Sequence, residues 1–250
     1  CPDAHLIKLG TMGEYGTPNI DIEEGWLEIT HKGRKDRVLY PKKPMSFYHL
    51  SKVHDSNNLE FACRVWGTKC TDLNQGCVYG LETEESKMDE KLSTSFHYDQ
   101  VFGTVINRFI CQSIIGKDLT VYGNGTQTRG YLNIIDTLNC VNIAANNPAS
   151  TGEFRVFNQY TEVLSINDIA KNIISAASQI GIKSKIKNLE NPRTDQEDHY
   201  YKPNNESLIK LGLKPIKIGD NVLPNMMKKA LQYKDRILEQ TILPTIKWKQ

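Results

Sequence analysis

Ser46-Phe47-Tyr48-His49-Leu50-Ser51-Lys52 is the stretch on which the fold turns. Tyr48 and Lys52 are four residues apart, so on a helix they share a face one turn from each other. An ammonium near a phenol favours the phenolate and lowers its pKa. A tyrosine so placed can work as an acid or base near neutral pH, and Lys52 can also hold a ribose hydroxyl. Two common residue types at fixed spacing also recur by chance, as a packed tyrosine beside a solvated lysine. The neighbourhood decides between these readings.

Upstream, His5-Leu6-Ile7-Lys8-Leu9-Gly10 is short, largely apolar and ends at glycine, which reads as a buried strand. Thr11-Met12-Gly13-Glu14-Tyr15-Gly16 follows at its carboxyl end, the edge of an open α/β sheet where ligands sit. The Thr11 hydroxyl can serve a substrate or Tyr48 there; a plain strand-end turn is the alternative. Residues 17–44 are polar, and segments 26–30 and 37–40 flank Lys32-Gly33-Arg34-Lys35 as a hairpin inserted before the Tyr48 helix. That helix is expected from about Met45 to Trp66-Gly67, with Gly67 as its stop.

Downstream, Cys70 to Leu73 reads as a strand, Asn74 to Gly80 as the loop after it, and residues 81–96 as a charged, exposed excursion. Residues 101–115 have helical apolar spacing, and Leu119 to Gly123 is a short strand running into the turn Gly123-Asn124-Gly125. Arg129 follows where a planar guanidinium can clamp a phosphate, although a surface arginine beside a turn looks the same. Phe154 to Asn158 is a late strand. Ser165 and Asp168 form a capping box that opens an amphipathic helix ending at Gly181. Asn191-Pro192-Arg193 starts a polar loop, Leu211 to Pro215 closes a short helix, and residues 221–239 read as a final amphipathic helix.

The 250 residues are 39% hydrophobic and 24% charged, which suits one compact unit or two packed lobes. With 31 basic and 29 acidic residues, the net charge of +2 builds no field for a nucleic acid. The six cysteines form no C-x-x-C pair or His/Cys cluster, so neither zinc nor a disulfide framework is indicated. They suit small core residues of a reducing compartment. No apolar run reaches the length of a membrane span. Cys1-Pro2-Asp3 lacks an initiator methionine and runs straight into a strand, which reads as the interior of a longer chain.

Taken in order, strand–Thr11, an insertion, Tyr48-x-x-x-Lys52 on a helix, strand–Asn74 and the series Val121-Tyr122-Gly123, Arg129 and Asp136 form one pattern. It resembles the carboxyl-terminal part of an extended short-chain dehydrogenase/reductase of the NAD-dependent epimerase/dehydratase family. The strings that carry the likeness are 9–16, 46–56, 71–80, 107–109, 119–123, 127–131 and 199–201, and it runs over essentially the whole chain. The resemblance implies an α/β fold, a Rossmann-like doubly wound parallel sheet lacking its amino-terminal part, with a smaller carboxyl-terminal nucleotide-sugar-binding lobe. Residues 1–80 are expected in the NAD-binding domain and 81–250 mainly in the substrate lobe. A strand near 119–136 or 154–158 is expected to return to the Rossmann sheet. The family's Gly-rich pyrophosphate turn is missing from this sequence, and the family layout places it before Cys1.

The strings are closest to members that join sulfite to UDP-glucose. In these, NAD oxidises C4, a C5 proton and the C6 hydroxyl leave as water, sulfite adds at C6, and C4 is reduced again. The resemblance makes Tyr48 the base at the C4 hydroxyl, Lys52 its tuning partner and a ligand of the nicotinamide ribose, and Thr11 the partner of sugar O4. It places Gln75 and Val78 near the nicotinamide. Asn74, Gln75, Asn107, Arg108 and Gln127 fall among the substrate contacts, with Leu119, Thr120 and Val121 along the uridine. Arg129 and Arg193 clamp the pyrophosphate, and Tyr200, with His199 and Tyr201, closes the sugar end.

Sister 4,6-dehydratases carry an Asp-Glu pair directly after the threonine, where this chain has Met12-Gly13, which cannot transfer protons. Elimination therefore needs another group: His49, which titrates near neutrality, or Glu14. Against His49, neighbouring helix positions point in different directions. The resemblance further implies a homodimer paired through the Tyr-Lys helix and the helix before it, in prokaryotic cytoplasm or plastid stroma. Another epimerase or dehydratase of the same fold, and a non-catalytic nucleotide-binding regulator, are the alternatives. Met12-Gly13 weighs against a dehydratase, and Thr11, Tyr48 and Lys52 together weigh against a regulator.

Overall fold

Strand β1 (His5–Thr11) leads into the hairpin β2 (Trp26–His31) and β3 (Arg34–Leu39), then α1 (Phe47–Trp66), β4 (Lys69–Gln75) and β5 (Cys77–Tyr79). The short α2 (Glu84–Met88), α3 (Val105–Ile114), β6 (Leu119–Tyr122), β7 (Thr128–Asn133) and α4 (Ile134–Asn146) follow. The chain continues through β8 (Phe154–Gln159), β9 (Glu162–Ser165), α5 (Ile166–Gln179), β10 (Ile186–Leu189), α6 (Glu206–Lys210) and α7 (Val222–Leu231). This is a computed structural model, and it describes residues 3–191, 200–219 and 221–243. The described residues divide into two compact units, 3–78 with 135–161 and 200–215, and 79–134 with 162–191, 216–219 and 221–243.

The first unit is built on a parallel sheet of order β1-β4-β8. Its register sets Gly10, Asn74 and Asn158 in one row and Thr11, Gln75 and Gln159 in the next. Parallel neighbours need long crossovers, and α1 supplies the one from β1 to β4. Both faces of the sheet are covered. Leu73 and Phe157 pack with Cys140 and Ala144 of α4 and with Leu208 of α6. Cys70, Phe154 and Val156 pack with Cys63 of α1 and with Trp26. Residues 70–74 of β4 are therefore all buried, the mark of a strand covered on both sides. In the hairpin, Lys32 and Gly33 both have positive φ, 49° and 78°, as a two-residue turn matched to strand twist requires. So tight a turn lets the strands run to His31 and from Arg34, longer than the sequence suggested.

In the second unit β6 and β10 pair in parallel, and β7 and β9 pair antiparallel. Helices α3, α5 and α7 pack on one another, and they bury Ile106, Phe109, Ile110, Ile169, Ile173, Met226 and Met227. The Ser165–Asp168 capping box is present, and Gly181 has φ of 79° just beyond α5. Helix α3 starts at Val105, later than its apolar spacing suggested. The Asp99 carboxylate accepts from the N–H groups of Val101 and Phe102 and holds a turn there, and Thr104 then caps the helix.

Several elements depart from the sequence reading. Helix α4 and strands β5, β9 and β10 have no counterpart in the sequence pattern, and α7 ends at Leu231, short of the 239 that its apolar spacing suggests. Strand β4 extends through Asn74 to Gln75, where a loop was expected. Residues 84–88 within the expected excursion form α2, closed by a Thr83–Ser86 capping box. Residues 135–161 and 200–215 group with the first unit rather than with the rest of 81–250. Of the two segments expected to return to the first sheet, 154–159 pairs there as β8, whereas β6 pairs with β10.

Candidate active site

Ser46 has extended backbone, and its side chain accepts from the His49 N–H, so α1 opens at Phe47 with Tyr48 and His49 in its first turn. Tyr48 is 60% exposed. One turn later, the Lys52 Nζ donates to the Leu9 carbonyl at 3.2 Å, which pins the helix to the end of β1. Thr11 is the last residue of that strand. Its Oγ1 accepts from the Gly13 N–H at 3.2 Å and caps a short 3-10 turn over Met12–Glu14. Lys52 is thus held at the strand end that carries Thr11, with Tyr48 one turn before it on the same helix. An ammonium has three N–H groups, so the bond to Leu9 leaves Lys52 donors for a ligand.

His49 leans towards the turn after Thr11. A Cβ added at Gly13 would lie 2.3 Å from the His49 Nε2, so the imidazole sits directly over that glycine. The Tyr48 and His49 rings are 5.3 Å apart, tilted by 54°. Adjacent positions on α1 therefore serve two places, an open one for the phenol and the strand-end turn for the imidazole. Met12 is buried with Tyr15, Ile22 and Tyr40. Of the two residues after Thr11, one belongs to the core and the other makes room for His49.

Glu14 is excluded as a proton-transfer group by its surroundings. It is fully buried. One carboxylate oxygen takes the Lys8 Nζ at 3.0 Å, and the other meets the Lys42 Nζ. Burial pushes the Glu14 carboxyl up, but the Lys42 and Lys8 ammoniums outweigh that and hold it below the usual carboxylate range. Lys8 also reaches the Asp72 Oδ2 at 2.9 Å and the Ser56 Oγ at 2.6 Å. Burial keeps the Asp72 carboxyl above its ordinary value, opposed by the Lys8 charge. Nothing but tertiary contact unites these residues. The visible hints were Lys8 inside an apolar strand and Asp72 inside a buried one.

Asn74 is a fully buried strand residue. Its amide donates to the Tyr15 hydroxyl at 2.9 Å, and that hydroxyl donates to the Asn158 Oδ1 at 2.9 Å. Burial raises the Tyr15 phenol far above its ordinary value. Gln75 is partly exposed and in register with Thr11, and Val78 is half-buried in β5. The Tyr200 hydroxyl donates to Asp21, which also takes the Lys202 Nζ at 2.8 Å.

In the second unit, the Arg108 Nη2 donates to the Thr120 carbonyl at 3.0 Å, and its guanidinium lies 4.3 Å from the Tyr122 ring centre. Leu119 and Val121 are fully buried, and the Thr120 side chain accepts from Gln112, so this strand offers a ligand little beyond main chain. Asn107 donates to the His97 carbonyl, Gln127 to the Tyr122 carbonyl and Arg129 to the Thr128 carbonyl. Arg193 and His199, like Cys1 and Pro2, lie outside the described residues.

Over its length the chain has clear relatives. It is 54% identical over 248 residues to the chloroplastic UDP-sulfoquinovose synthase of Spinacia oleracea, a match covering 99% of the chain and 52% of that protein. It is 41% identical over 252 residues to the UDP-sulfoquinovose synthase of Sulfolobus acidocaldarius, covering 100% of the chain and 64% of that protein. The chain is homologous to the UDP-sulfoquinovose synthases. It spans about half the length of the spinach relative. No family model matches it. Among solved structures, the UDP-glucose 4-epimerase of Thermotoga maritima with UDP-glucose superposes with a TM-score of 0.66 at 18% identity, covering 91% of this chain and 64% of that one. At that identity the likeness is one of fold, the α/β Rossmann type of NAD-dependent epimerases and dehydratases.

Among the described residues no group of His, Cys, Asp and Glu side chains is placed to hold a metal, and no helix is long and apolar enough to cross a membrane. Burial pushes the thiols of Cys70, Cys111 and Cys140 up to about 12, so these cysteines are poor nucleophiles and act as small core residues.

Proposed function

We propose that the full-length protein makes UDP-sulfoquinovose from UDP-glucose and sulfite, with NAD as a redox cofactor regenerated in each turnover. The observation that carries this reading is the identity of 54% and 41% to two UDP-sulfoquinovose synthases across essentially the whole chain. The local geometry supports it. An exposed phenol and an ammonium with donors to spare, at the carboxyl edge of a parallel sheet, fit a nicotinamide ribose with the reacting sugar beside it. Gln75 and Val78 border that place in this reading. NAD, when bound, supplies reversible hydride acceptance at C4.

The residues of the chain do the proton chemistry. Tyr48 takes the C4 hydroxyl proton, and Lys52 stabilises the resulting phenolate. Thr11 accepts the Gly13 N–H, which leaves its own hydroxyl hydrogen to donate to the sugar O4. His49, seated over Gly13, removes the C5 proton and returns a proton to the departing C6 hydroxyl; sulfite then adds across the C5–C6 double bond. Asn74 supports the site through Tyr15 rather than by touching the sugar. Arg129 and Arg193 hold the pyrophosphate, with Asn107, Arg108, Gln127, the main chain of 119–121 and Tyr200 completing the UDP-sugar contacts. Pairing as a homodimer through α1 accords with Phe61, Val65 and Trp66, which stand exposed on that helix. The compartment is the plastid stroma if the source is a photosynthetic eukaryote, in keeping with the chloroplastic spinach protein, or the cytoplasm if the source is prokaryotic.

The test is incubation of the full-length protein with UDP-glucose and sulfite, followed by mass spectrometry of the products. Tyr48→Phe is expected to abolish reduction of bound NAD. His49→Ala is expected to keep that reduction but to stop deuterium exchange at C5 in heavy water. Release of UDP-galactose or a free 4-keto-6-deoxy sugar, with sulfite ignored, overturns the assignment. Normal C5 exchange in His49→Ala removes His49 alone.

A further inference from the structure

Residue 52 is gripped at both ends by successive residues of β1. Its ammonium is bound to the Leu9 carbonyl at 3.2 Å, and its own carbonyl accepts from the Lys8 Nζ at 3.2 Å. Lys8 also donates to Ser56, one turn further along α1, at 2.6 Å. The Lys8 ammonium shares its three N–H groups among these two acceptors and the carboxylates of Glu14, from the turn after β1, and Asp72, from β4. Lys42, from the segment returning from the hairpin, closes the cluster on the second Glu14 oxygen. Ser56 completes it by donating to Asp72 or Glu14, at 2.6 and 2.9 Å. Two ammoniums and two carboxylates thus balance in a place where apolar side chains would fill the space at lower desolvation cost. A lysine that also bonds the helix main chain sets where that helix lies along the strand, which an apolar side chain cannot do.

We infer that Lys8 is a positioning residue for the proposed chemistry, fixing how far Lys52 reaches towards Tyr48 and hence how readily Tyr48 accepts a proton. This rests on the reading of Tyr48 and Lys52 as the hydride-transfer pair. Lys8 lies behind α1 and touches neither sugar nor cofactor in that reading. Among the described residues, the charged groups around Lys8 are Glu14 on the turn, Lys42 before α1 and Asp72 on β4, and the titratable ring beside Tyr48 is that of His49 on α1 itself.

The experiment measures single-turnover reduction of bound NAD by UDP-glucose against pH in the full-length protein. It compares wild type, Lys8→Met, the charge-balanced Lys8→Met/Glu14→Gln, Lys52→Met and Lys8→Met/Lys52→Met. The expected result is an acid limb moved about one unit to higher pH in both variants that keep Lys52, with about a tenfold loss near neutrality and convergence with wild type at high pH. The Lys8 effect should disappear when Lys52 is already methionine, since the two then act through one group. A purely structural role lowers the melting temperature, or scales the rate equally at every pH, without moving the limb. An unmoved limb in the folded charge-balanced variant overturns the inference while leaving the proposed function standing. So does a Lys8 effect that persists without Lys52. A wild-type protein that never reduces NAD with UDP-glucose overturns both.

Discussion

Beneath α1 the first unit buries Lys8, Lys42, Glu14 and Asp72, whereas between α3, α5 and α7 the second unit buries Ile106, Phe109, Ile173 and Met227. Both interiors are close-packed, but they are held by different forces. Apolar packing is non-directional and roughly proportional to area, so it tolerates small shifts of one helix over another. Ion pairs joined by directed hydrogen bonds have few good geometries, and they are costly if one member is lost. The ionic interior lies under the helix that carries Tyr48, His49 and Lys52, where fractions of an ångström matter to proton transfer. The apolar interior supports a unit whose candidate polar side chains, among the described residues, largely bond to nearby main chain.

The largest expected effect breaks the ionic side. Glu14→Gln leaves two buried ammoniums short of a carboxylate and should cost about 3–5 kcal/mol, read by urea unfolding near neutral pH. The sign of its pH dependence follows from the depressed Glu14 value. The stabilising contribution is complete above the unfolded carboxylate value and is lost as pH falls through the lower folded one. Wild type and variant should therefore converge in acid. A constant gap at all pH values would show that Glu14 is held by packing and not by charge.

A middle effect probes the contact of His49 with its glycine. Gly13→Ala meets no adverse φ, but its methyl would stand 2.3 Å from the imidazole. Overpacking of this kind costs about 1–3 kcal/mol, or the ring swings away. Thermal unfolding reads the first outcome, and slowed C5 exchange with intact NAD reduction reads the second. A variant unchanged in both would mean that the imidazole is not held where it is described.

The smallest effect is expected on the apolar side. Ile173→Val removes one methylene from a fully buried site and should cost about 0.5–1.5 kcal/mol, with little dependence on pH. A loss as large as that of Glu14→Gln would erase the distinction between the two interiors.

Some of this was legible in the chain itself. Ser46 and Gly67 mark the ends of α1 because a hydroxyl can satisfy a free N–H and a glycine can take positive φ. The same local chemistry announces the Ser165–Asp168 box and the Lys32-Gly33 turn. Helix α4 has no local start signal, because β7 passes into it without a turn and Leu132-Asn133-Ile134-Ile135 carries strand-like residues across the junction. Asn74 read as a loop residue because asparagine favours turns, yet in the sheet its amide is satisfied by Tyr15, 59 positions away.

The sequence by itself determined where α1 stops, where α5 begins and where the hairpin turns, and the spacing of Tyr48 and Lys52 on one helix face. Those features depend on neighbours a few residues apart, so short-range sterics and capping suffice to specify them. Only the tertiary structure decided that His49 lies over Gly13, that Glu14 is locked between Lys8 and Lys42, and that β1 holds Lys52 by both its carbonyl and its ammonium. A buried charge is tolerable only where its counter-charge arrives, and here the charges come from β1, the turn after it, the hairpin return and β4. No pattern along the chain encodes that meeting, because it exists only once the parallel strands are in register and the helix has packed upon them.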